Sequence, residues 1–157
     1  MKGRRVYLSG AIEHASDGGR GWREEIGRFL VEELGADVYD PAADEKKDLT
    51  EEERRHFRRW KSEAPGRFRE TVRKIIAWDL GHIETGSDCV LAFWDDSAAR
   101  GGGTAAEITL AHRLGKPVYL VLGMPLESAS GWVIAAADLV FKDFESLKTF
   151  LRTEIQS

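Results

Sequence analysis

Glu107 is a carboxylate within TAAEITLAHRLG, a segment whose apolar spacing predicts a helix. It precedes Leu110, Ala111 and Leu114 by three, four and seven residues, so the four share one face and Glu107 points inward near the helix start. A partly desolvated carboxylate that the helix N-terminus keeps ionised suits nucleophilic attack on a sugar carbon. The same residue fits a capping box with Thr104 as N-cap, and the spacing leaves both interpretations open.

Asp79 and Tyr7 are two further candidates for polar chemistry. Asp79 lies in IIAWDLGHI, near the carboxyl end of a predicted helix and at the margin of its apolar face. The helix dipole there favours a raised pKa and the sharing of a proton with a ligand. Tyr7 lies on the first predicted strand, and its hydroxyl is expected to find a polar partner such as Glu107. A surface aspartate and a core aromatic are the ordinary alternatives.

Glycine-rich loops follow two of the predicted strands and offer backbone N–H groups to an anion. After the first strand come Ser9, Gly10 and the stretch EHASDGGRG, with Arg20 near the next helix start. After the third strand, the candidate phosphate-binding residues are Arg100, Gly101, Gly102, Gly103 and Thr104. Neither loop has the spacing of a dinucleotide fingerprint or of a P-loop, so ordinary loops remain the alternative.

Two simpler predictions concern acidic residues and cysteine. Asp95 and Asp96 have the chemistry to chelate a cation, but their place before a helix favours capping or solvated loop carboxylates. No metal site is therefore predicted. Cys89, the single cysteine, lies in an apolar run and is expected in the core.

The composition narrows the classes of function. A chain of 157 residues, 42% hydrophobic and 32% charged, suits one domain with a full core. A net charge of -4 disfavours binding to a nucleic-acid polymer, although local donors can still bind a small anion. No apolar run approaches the roughly 20 residues of a membrane span, and the N-terminal apolar stretch is short for a signal peptide. We expect a cytoplasmic protein without membrane contact.

Alternating strands and helices must position these side chains. Strands are predicted at RVYLSG, ADVYDP, DCVLAFW, KPVYLVLG and Leu139–Phe141, with helices between them. This pattern predicts an α/β fold, a single-domain, doubly wound, flavodoxin-like (Rossmann-like) parallel sheet in the order 2-1-3-4-5, with helices on both faces. Ligands then bind beyond the carboxyl ends of the strands, at the switch between strands one and three.

A charged stretch interrupts this alternation. Residues 44–64 are dense in both charge signs and predict a helical insertion in a domain that otherwise spans 1–157. A solvated helix with opposite-charge neighbours is the ordinary interpretation, and a lid over a site is the alternative.

In this order, the motifs resemble the nucleoside 2-deoxyribosyltransferase-like superfamily, which includes nucleotide N-glycosidases. The resemblance runs through VYLSGAI, DLGHIETGSDCVLAFWDD and GGGTAAEITLAHRLGKPVYLV, and it leaves out the charged insertion. It implies cleavage of an N-glycosidic bond with retention. Glu107 would be the nucleophile at C1′, Asp79 would contact and help protonate the leaving base, and Tyr7 would orient the nucleophile. The glycosyl group would pass to water or to a second base, and no cofactor is implied.

One departure from the family bears on the substrate. The transferases carry an acidic residue that binds the sugar hydroxyl six residues before the nucleophile, where this chain has Gly101. Glycines, Arg100, Thr104 and a helix N-terminus suit a 5′-phosphate better than a neutral hydroxyl. We therefore expect a 5′-monophosphate. The resemblance also implies a homo-oligomer, in which Trp132 would pack between subunits or in the core.

Two other functions fit the same residues. A non-catalytic nucleotide-binding or sensor module on this fold would also bind nucleotides at the rim. In that case Glu107 would be a cap satisfied by its own helix, whereas the enzyme needs it as an available nucleophile. A structural oligomer with a vestigial pocket is the third hypothesis. The identity of the base, ribose against 2′-deoxyribose, nucleoside against 5′-monophosphate, and hydrolysis against base exchange stay open.

Overall fold

Strand order is the feature that positions the site. A computed structural model describes residues 1–155. Its five strands form one parallel sheet in the order β2-β1-β3-β4-β5, which confirms the predicted topology. The strands are β1 (Arg5–Ser9), β2 (Asp37–Tyr39), β3 (Cys89–Trp94), β4 (Val118–Leu122) and β5 (Leu139–Phe141). The chain therefore reverses its direction of growth between β1 and β3, where a crevice is expected.

Helices cover both faces of the sheet. They are α1 (Arg20–Glu32), α2 (Glu51–Glu63), α3 (Pro65–Glu84), α4 (Asp96–Arg100), α5 (Gly103–Arg113), α6 (Gly131–Ala136) and α7 (Phe144–Ile155). A short 3-10 turn at Leu126–Ser128 precedes α6. Local signals set several ends: Thr50 accepts a hydrogen bond from the N–H of Glu53 at the start of α2, and Pro65 opens α3. Within residues 1–155, no helix is both long and apolar enough to cross a membrane.

Strand alternation divides the core between the two faces. Val6 and Leu8 of β1 pack with α1 and α7, while Tyr7 packs with α5 on the opposite face. Because successive side chains of a strand point to opposite faces, Ser9 lies on the same face as Tyr7. Cys89 is fully buried, as expected. Tyr7 and Ser9 of β1 thus both face α5.

Two predicted helix faces are partly wrong. Leu114 is 45% exposed, because it lies at the C-cap of α5 beyond the last turn over the sheet, and Thr104, Ile108 and Ala111 form the buried face. On α3, the apolar pattern of IIAWDLGHI predicts Ile76 on the buried face, but Ile76 is 50% exposed because it points away from the sheet. Asp79 is in turn more deeply buried than a residue at the margin of an apolar face.

The charged segment forms the first arm of a helical hairpin. A loop follows β2, and α2 then packs against α3 across the single residue Ala64. Lys74 of α3 contacts Glu53 over 2.8 Å, and the buried Trp60 lies 3.8 Å from the Arg67 guanidinium. The helix predicted for this segment is confirmed, although it begins only at Glu51.

Candidate active site

Hydroxyl groups from β1 hold the Glu107 carboxylate on α5. Tyr7 Oη donates to Oε1 over 2.8 Å, and Ser9 Oγ donates to Oε2 over 2.5 Å. Both donors come from one face of β1, where Tyr7 pairs with Val90 and Ser9 with Ala92 of β3. The structure thus brings together three of the residues that the sequence singled out, at the switch between β1 and β3.

Glu107 does not cap its own helix. The first residue of α5 is Gly103, its N-cap is Gly102, and no side chain caps this end. Thr104 is therefore inside the helix and Glu107 lies in the second turn, beyond the position that a capping box requires. The capping interpretation is wrong, and the carboxylate oxygens are turned to β1 instead.

The surroundings of Glu107 stabilise its neutral form relative to a glutamate side chain in water. Burial raises the pKa of Glu107 to about 7, and hydrogen bonds from Ser9 and Tyr7 limit that rise. The negative charge of Asp79 raises the pKa further, and the Arg23 guanidinium lowers it. Neutral and ionised forms are consequently both populated near neutral pH, and the ionised form prevails above it.

Tyr7 is suited to donate a proton in a hydrogen bond rather than to lose one. Its side chain is fully buried, and its ring centroid lies 5.4 Å from that of Tyr39. Burial and the Glu107 charge raise the pKa of Tyr7 far above its usual value. The phenol therefore stays protonated and keeps donating to Glu107.

Asp79 forms a buried ion pair that the sequence pattern did not predict. Lys47, from the loop after β2, approaches Asp79 with a distance of 2.8 Å between Nζ and Oδ2. Burial raises the pKa of Asp79, and the charge and hydrogen bond of Lys47 oppose that rise. Among the described residues, the second oxygen, Oδ1, has no hydrogen-bond partner. The charge of Asp79 raises the pKa of both Tyr7 and Glu107, so all three groups act within one electrostatic site.

A polar and aromatic cluster ties the loop after β2 to α3. Asp44 accepts hydrogen bonds from Tyr39 Oη over 2.9 Å and from Trp78 Nε1 over 2.8 Å. The His82 ring stacks on the Tyr39 ring at 3.9 Å. These contacts join a loop to a helix more than thirty residues away, so no local spacing in the sequence could have predicted them.

A cavity opens beside Asp79 and is walled by the charged insertion. Its volume is about 610 Å³, within the range of small-molecule sites. The loop after β2, α2 and α3 surround it, and its apolar walls include Ile12, Leu49, Phe57, Phe68, Val72 and Ile75. Lys47 and Asp79 lie at its lining as well. An aromatic heterocycle would find both stacking surface and polar groups there.

Arg23 is a buried residue that the sequence interpretation missed. Its side chain is 1% exposed, and its guanidinium donates to the carbonyl oxygens of Gly10 over 2.7 Å and Gly19 over 2.8 Å. These bonds hold the loop after β1 in place. The signal was present, because Arg23 shares a helical face with Ile26 and Leu30 at spacings of three and seven residues.

Arg20, a predicted phosphate ligand, is turned to the surface. Its exposed guanidinium lies 3.4 Å from Glu45, and it makes no hydrogen bond or ion pair with Glu107. The loop before it is shaped by Asp17, which accepts hydrogen bonds from the N–H groups of Gly19 and Gly21. The structure therefore does not bring Arg20 to the Glu107 side of the site.

The glycines before α5 lie next to the loop after β1. A Cβ built on Gly101 would be 3.7 Å from His14 Cδ2, whereas one on Gly102 or Gly103 would meet nothing within 4 Å. Thr104 is buried, and Arg100 is exposed in the last turn of α4. Open space thus adjoins the backbone at the start of α5.

The acidic pair after β3 has a structural role. Asp95 accepts a hydrogen bond from the N–H of Ala98 over 2.8 Å and so caps α4, which confirms the predicted cap. Throughout residues 1–155, no three or more His, Cys, Asp or Glu side chains are grouped so that they could hold a metal ion.

No family model and no curated protein sequence matches this chain. Solved structures share its fold, and three examples follow. The 2-deoxyribosyltransferase of Bacillus psychrosaccharolyticus is 19% identical with a TM-score of 0.64, over 94% of this chain and 95% of that chain. The CMP N-glycosidase BcmB of Clostridium botulinum is 17% identical with a TM-score of 0.54, over 96% and 99%. A conserved protein of Enterococcus faecalis V583 is 12% identical with a TM-score of 0.63, over 97% and 99%. The chain therefore has the fold that its resemblance to the nucleoside 2-deoxyribosyltransferase-like superfamily implied.

Proposed function

We propose that this protein cleaves the N-glycosidic bond of a nucleotide or nucleoside through a glycosyl ester on Glu107. The observation that carries the proposal is the Glu107 carboxylate, which is independent of its own helix and held by Tyr7 and Ser9. Its pKa of about 7 makes the ionised form available near neutral pH. The fold supports the proposal, because it is shared with a 2-deoxyribosyltransferase and a CMP N-glycosidase.

The reaction would take two displacements at C1′. In the first, a Glu107 oxygen bonds to C1′ while the C1′–N bond breaks, and its electron pair leaves with the base nitrogen. Asp79 faces the departing base and takes part in delivering the proton that the base requires. In the second, an oxygen of water or a nitrogen of another base bonds to C1′, the ester oxygen leaves with its electron pair, and the proton released by the incoming group is taken up at the Asp79 side, the reverse of the first step. Two inversions give overall retention.

The start of α5 is the proposed site of the substrate 5′-phosphate. Open space adjoins Gly102 and Gly103, and the first N–H groups of a helix attract an anion. Arg100 is exposed near this point. Gly101 lies close to His14, so the loop after β1, which begins at Ser9 and Gly10, borders the same space. Arg20 would join it only after leaving Glu45.

The assay uses a panel of nucleosides and 5′-monophosphates, incubated with and without a second free base and separated by chromatography. Released base indicates hydrolysis, and a new nucleoside or nucleotide indicates exchange. We expect activity in the wild type and in E127Q, a control at an exposed glutamate, and its loss in E107A. Binding of nucleotides without turnover, equal in wild type and E107A, would instead support a sensor module.

The same panel tests the phosphate preference. We expect monophosphates to be cleaved with a higher kcat/KM than the corresponding nucleosides. Cleavage of nucleosides but not of monophosphates would contradict the phosphate site while leaving the glycosidic chemistry intact.

We also propose a homo-oligomer. Trp132 is 68% exposed, so it does not pack in the core of its own chain as one interpretation of the sequence allowed. Its indole N–H donates to Thr109 Oγ1 over 2.8 Å, which ties the exposed ring to α5. Light scattering of wild type and W132A would test this: a monomeric wild type would contradict the proposal.

A further inference from the structure

Lys47 and Asp79 are both buried, at 7% and 8% exposure. Their charged atoms are 2.8 Å apart. Removing two charges from water is unfavourable, and attraction between them often fails to compensate. Stability alone therefore does not explain a buried ion pair that lines a cavity. Such a pair indicates a function in the site.

The backbone that carries Lys47 is unusual. Among the described residues other than glycine, Lys47 and Asp48 alone have positive φ, at 39° and 58°. L-residues adopt this region at a cost, so surrounding contacts must maintain it. The Lys47 ammonium pairs with Asp79, which holds the end of this side chain, and the charge of Lys47 also lowers the pKa of Asp44 in the same loop. Asp44 is itself held by Tyr39 and by Trp78 of α3.

This arrangement leaves Asp79 with two different oxygens. Oδ2 is occupied by the Lys47 ammonium, while Oδ1 is buried without a hydrogen-bond partner among the described residues. A carboxylate oxygen in that state requires a donor. Asp79 lines the cavity of about 610 Å³, so a ligand in that cavity can supply the donor once a small shift of the side chain exposes Oδ1.

We infer that Lys47 is a positioning residue for the leaving group: it holds Asp79 with Oδ1 unpaired, so that the cavity selects a heterocycle with an N–H donor for that oxygen. The ammonium group has three N–H donors, of which Asp79 takes one. A second can reach a carbonyl oxygen or ring nitrogen next to the ligand N–H. The selected class is therefore a base whose edge carries a donor beside an acceptor. This inference rests on the proposed function and adds Lys47 to it.

Several titratable groups face Asp79, and Lys47 is the nearest cation among them. The others are Asp44 from the same loop, His82 from α3, Tyr7 and Tyr39 from neighbouring strands, and Glu107 from α5. Of these, Asp44 raises the pKa of Asp79 and His82 lowers it, while Lys47 lowers it most. Removing the Lys47 charge should therefore increase the proton affinity of Asp79.

The first test is a carboxyl ¹³C NMR titration of Asp79, assigned by its loss in D79N. It compares wild type with K47M, K47Q and K47R, and with K46M at the exposed neighbouring lysine. We expect K47M and K47Q to increase the proton affinity of Asp79 about tenfold or more, because an adjacent cation is lost. K47R and K46M should stay close to wild type. Equal titrations in all variants would overturn the inference, whether or not the protein turns over a substrate.

The second test measures binding of free bases and of their N-methylated forms, which lack the donor, by calorimetry. Wild type and K46M should bind the N-methylated base about tenfold or more weakly, because Oδ1 is then left unpaired. K47M should lose much of this discrimination. Equal discrimination in K47M and K46M would overturn the selection of the leaving group. If instead the titration responds and no base is released from any nucleotide, the proposed function fails and the coupling of Lys47 to Asp79 stands.

Discussion

The two sides of the site are held by different kinds of contact. On one side, neutral hydroxyl groups of β1 bind Glu107 of α5, and both elements are regular. On the other, the Lys47 cation binds Asp79, and it comes from a loop with left-handed residues. Burial raises the pKa of both carboxyl groups. For Glu107 the rise is opposed mainly by hydrogen bonds from hydroxyl groups, and for Asp79 it is opposed mainly by the positive charge of Lys47. The comparison indicates that regular elements set the pKa of Glu107, the proposed nucleophile, whereas a charged loop sets that of Asp79 on the proposed leaving-group side.

The largest effect is expected on the leaving-group side, from D79N. Loss of a group that serves proton transfer to the base should reduce kcat/KM by about 10²–10⁴-fold. A 7-methylated purine nucleotide should be much less affected, because its base is already cationic and departs without a proton. Initial rates of base release measure both. Equal losses for the two substrates would assign Asp79 to folding or sugar binding instead.

The next effect concerns stability on the nucleophile side. The folded-state pKa of Glu107, about 7, lies above its ordinary value of 4.5, so stability present at low pH is lost as pH rises through about 7. E107Q cannot undergo this loss. Its free energy of unfolding, relative to wild type, should rise by about 3 kcal/mol between pH 4 and pH 8.

Urea unfolding at several pH values measures this difference. The control is E127Q, at an exposed position, which should show no such trend. If the difference in free energy of unfolding between E107Q and wild type does not change with pH, the pKa of Glu107 is not raised by folding. Desolvation would then act on Asp79 but not on Glu107.

A smaller effect is expected when single hydroxyls are removed. Y7F and S9A each delete a donor that stabilises ionised Glu107, so the acidic limb of the activity profile should move to higher pH. At pH 6 we expect each variant to lose about tenfold in kcat/KM, the value of one hydrogen bond to a charged group. Y119F, on β4, is the matched control, since its hydroxyl makes no hydrogen bond within residues 1–155. If the acidic limb does not move in either variant, the hydroxyl groups of Tyr7 and Ser9 do not stabilise ionised Glu107.

The smallest effect is expected from R20A. The ion pair of Arg20 with Glu45 is exposed, in contrast to the buried pair of Lys47 with Asp79. Its removal should change the free energy of unfolding by less than about 1 kcal/mol, as measured by thermal or urea unfolding. The KM of R20A for a monophosphate should stay near that of wild type. A large increase in that KM, absent for nucleosides, would return Arg20 to the phosphate site.

Sequence reasoning succeeded where periodic structure carries the site. Alternation along β1 puts Tyr7 and Ser9 on one face, and parallel strand order brings that face to α5, so the approach of Tyr7 to Glu107 was predictable. Ser9 was predicted as a phosphate ligand at this rim, and its hydrogen bond to Glu107 was not anticipated.

The other side could not be predicted because its contacts are not periodic. Lys47 and Asp79 are 32 residues apart in the sequence. The left-handed backbone at Lys47 contains no glycine from which the turn could have been predicted. Opposite charges in the insertion suggested a solvated helix, and only the packing of α2 on α3 makes it a cavity wall. The buried face of α5 was also misjudged at Leu114, since spacing alone does not tell where a helix ends over the sheet.

The most direct test of Glu107 as nucleophile is to trap the glycosyl ester. A 2′-deoxy-2′-fluoro nucleotide slows both displacements, because fluorine disfavours positive charge at C1′, and mass spectrometry of the rapidly quenched protein then detects the adduct. We predict a mass increase of one glycosyl group, located on the peptide that contains Glu107 and absent in E107A. Base release by wild type with no adduct, together with base release by E107A, would contradict a nucleophilic role for Glu107.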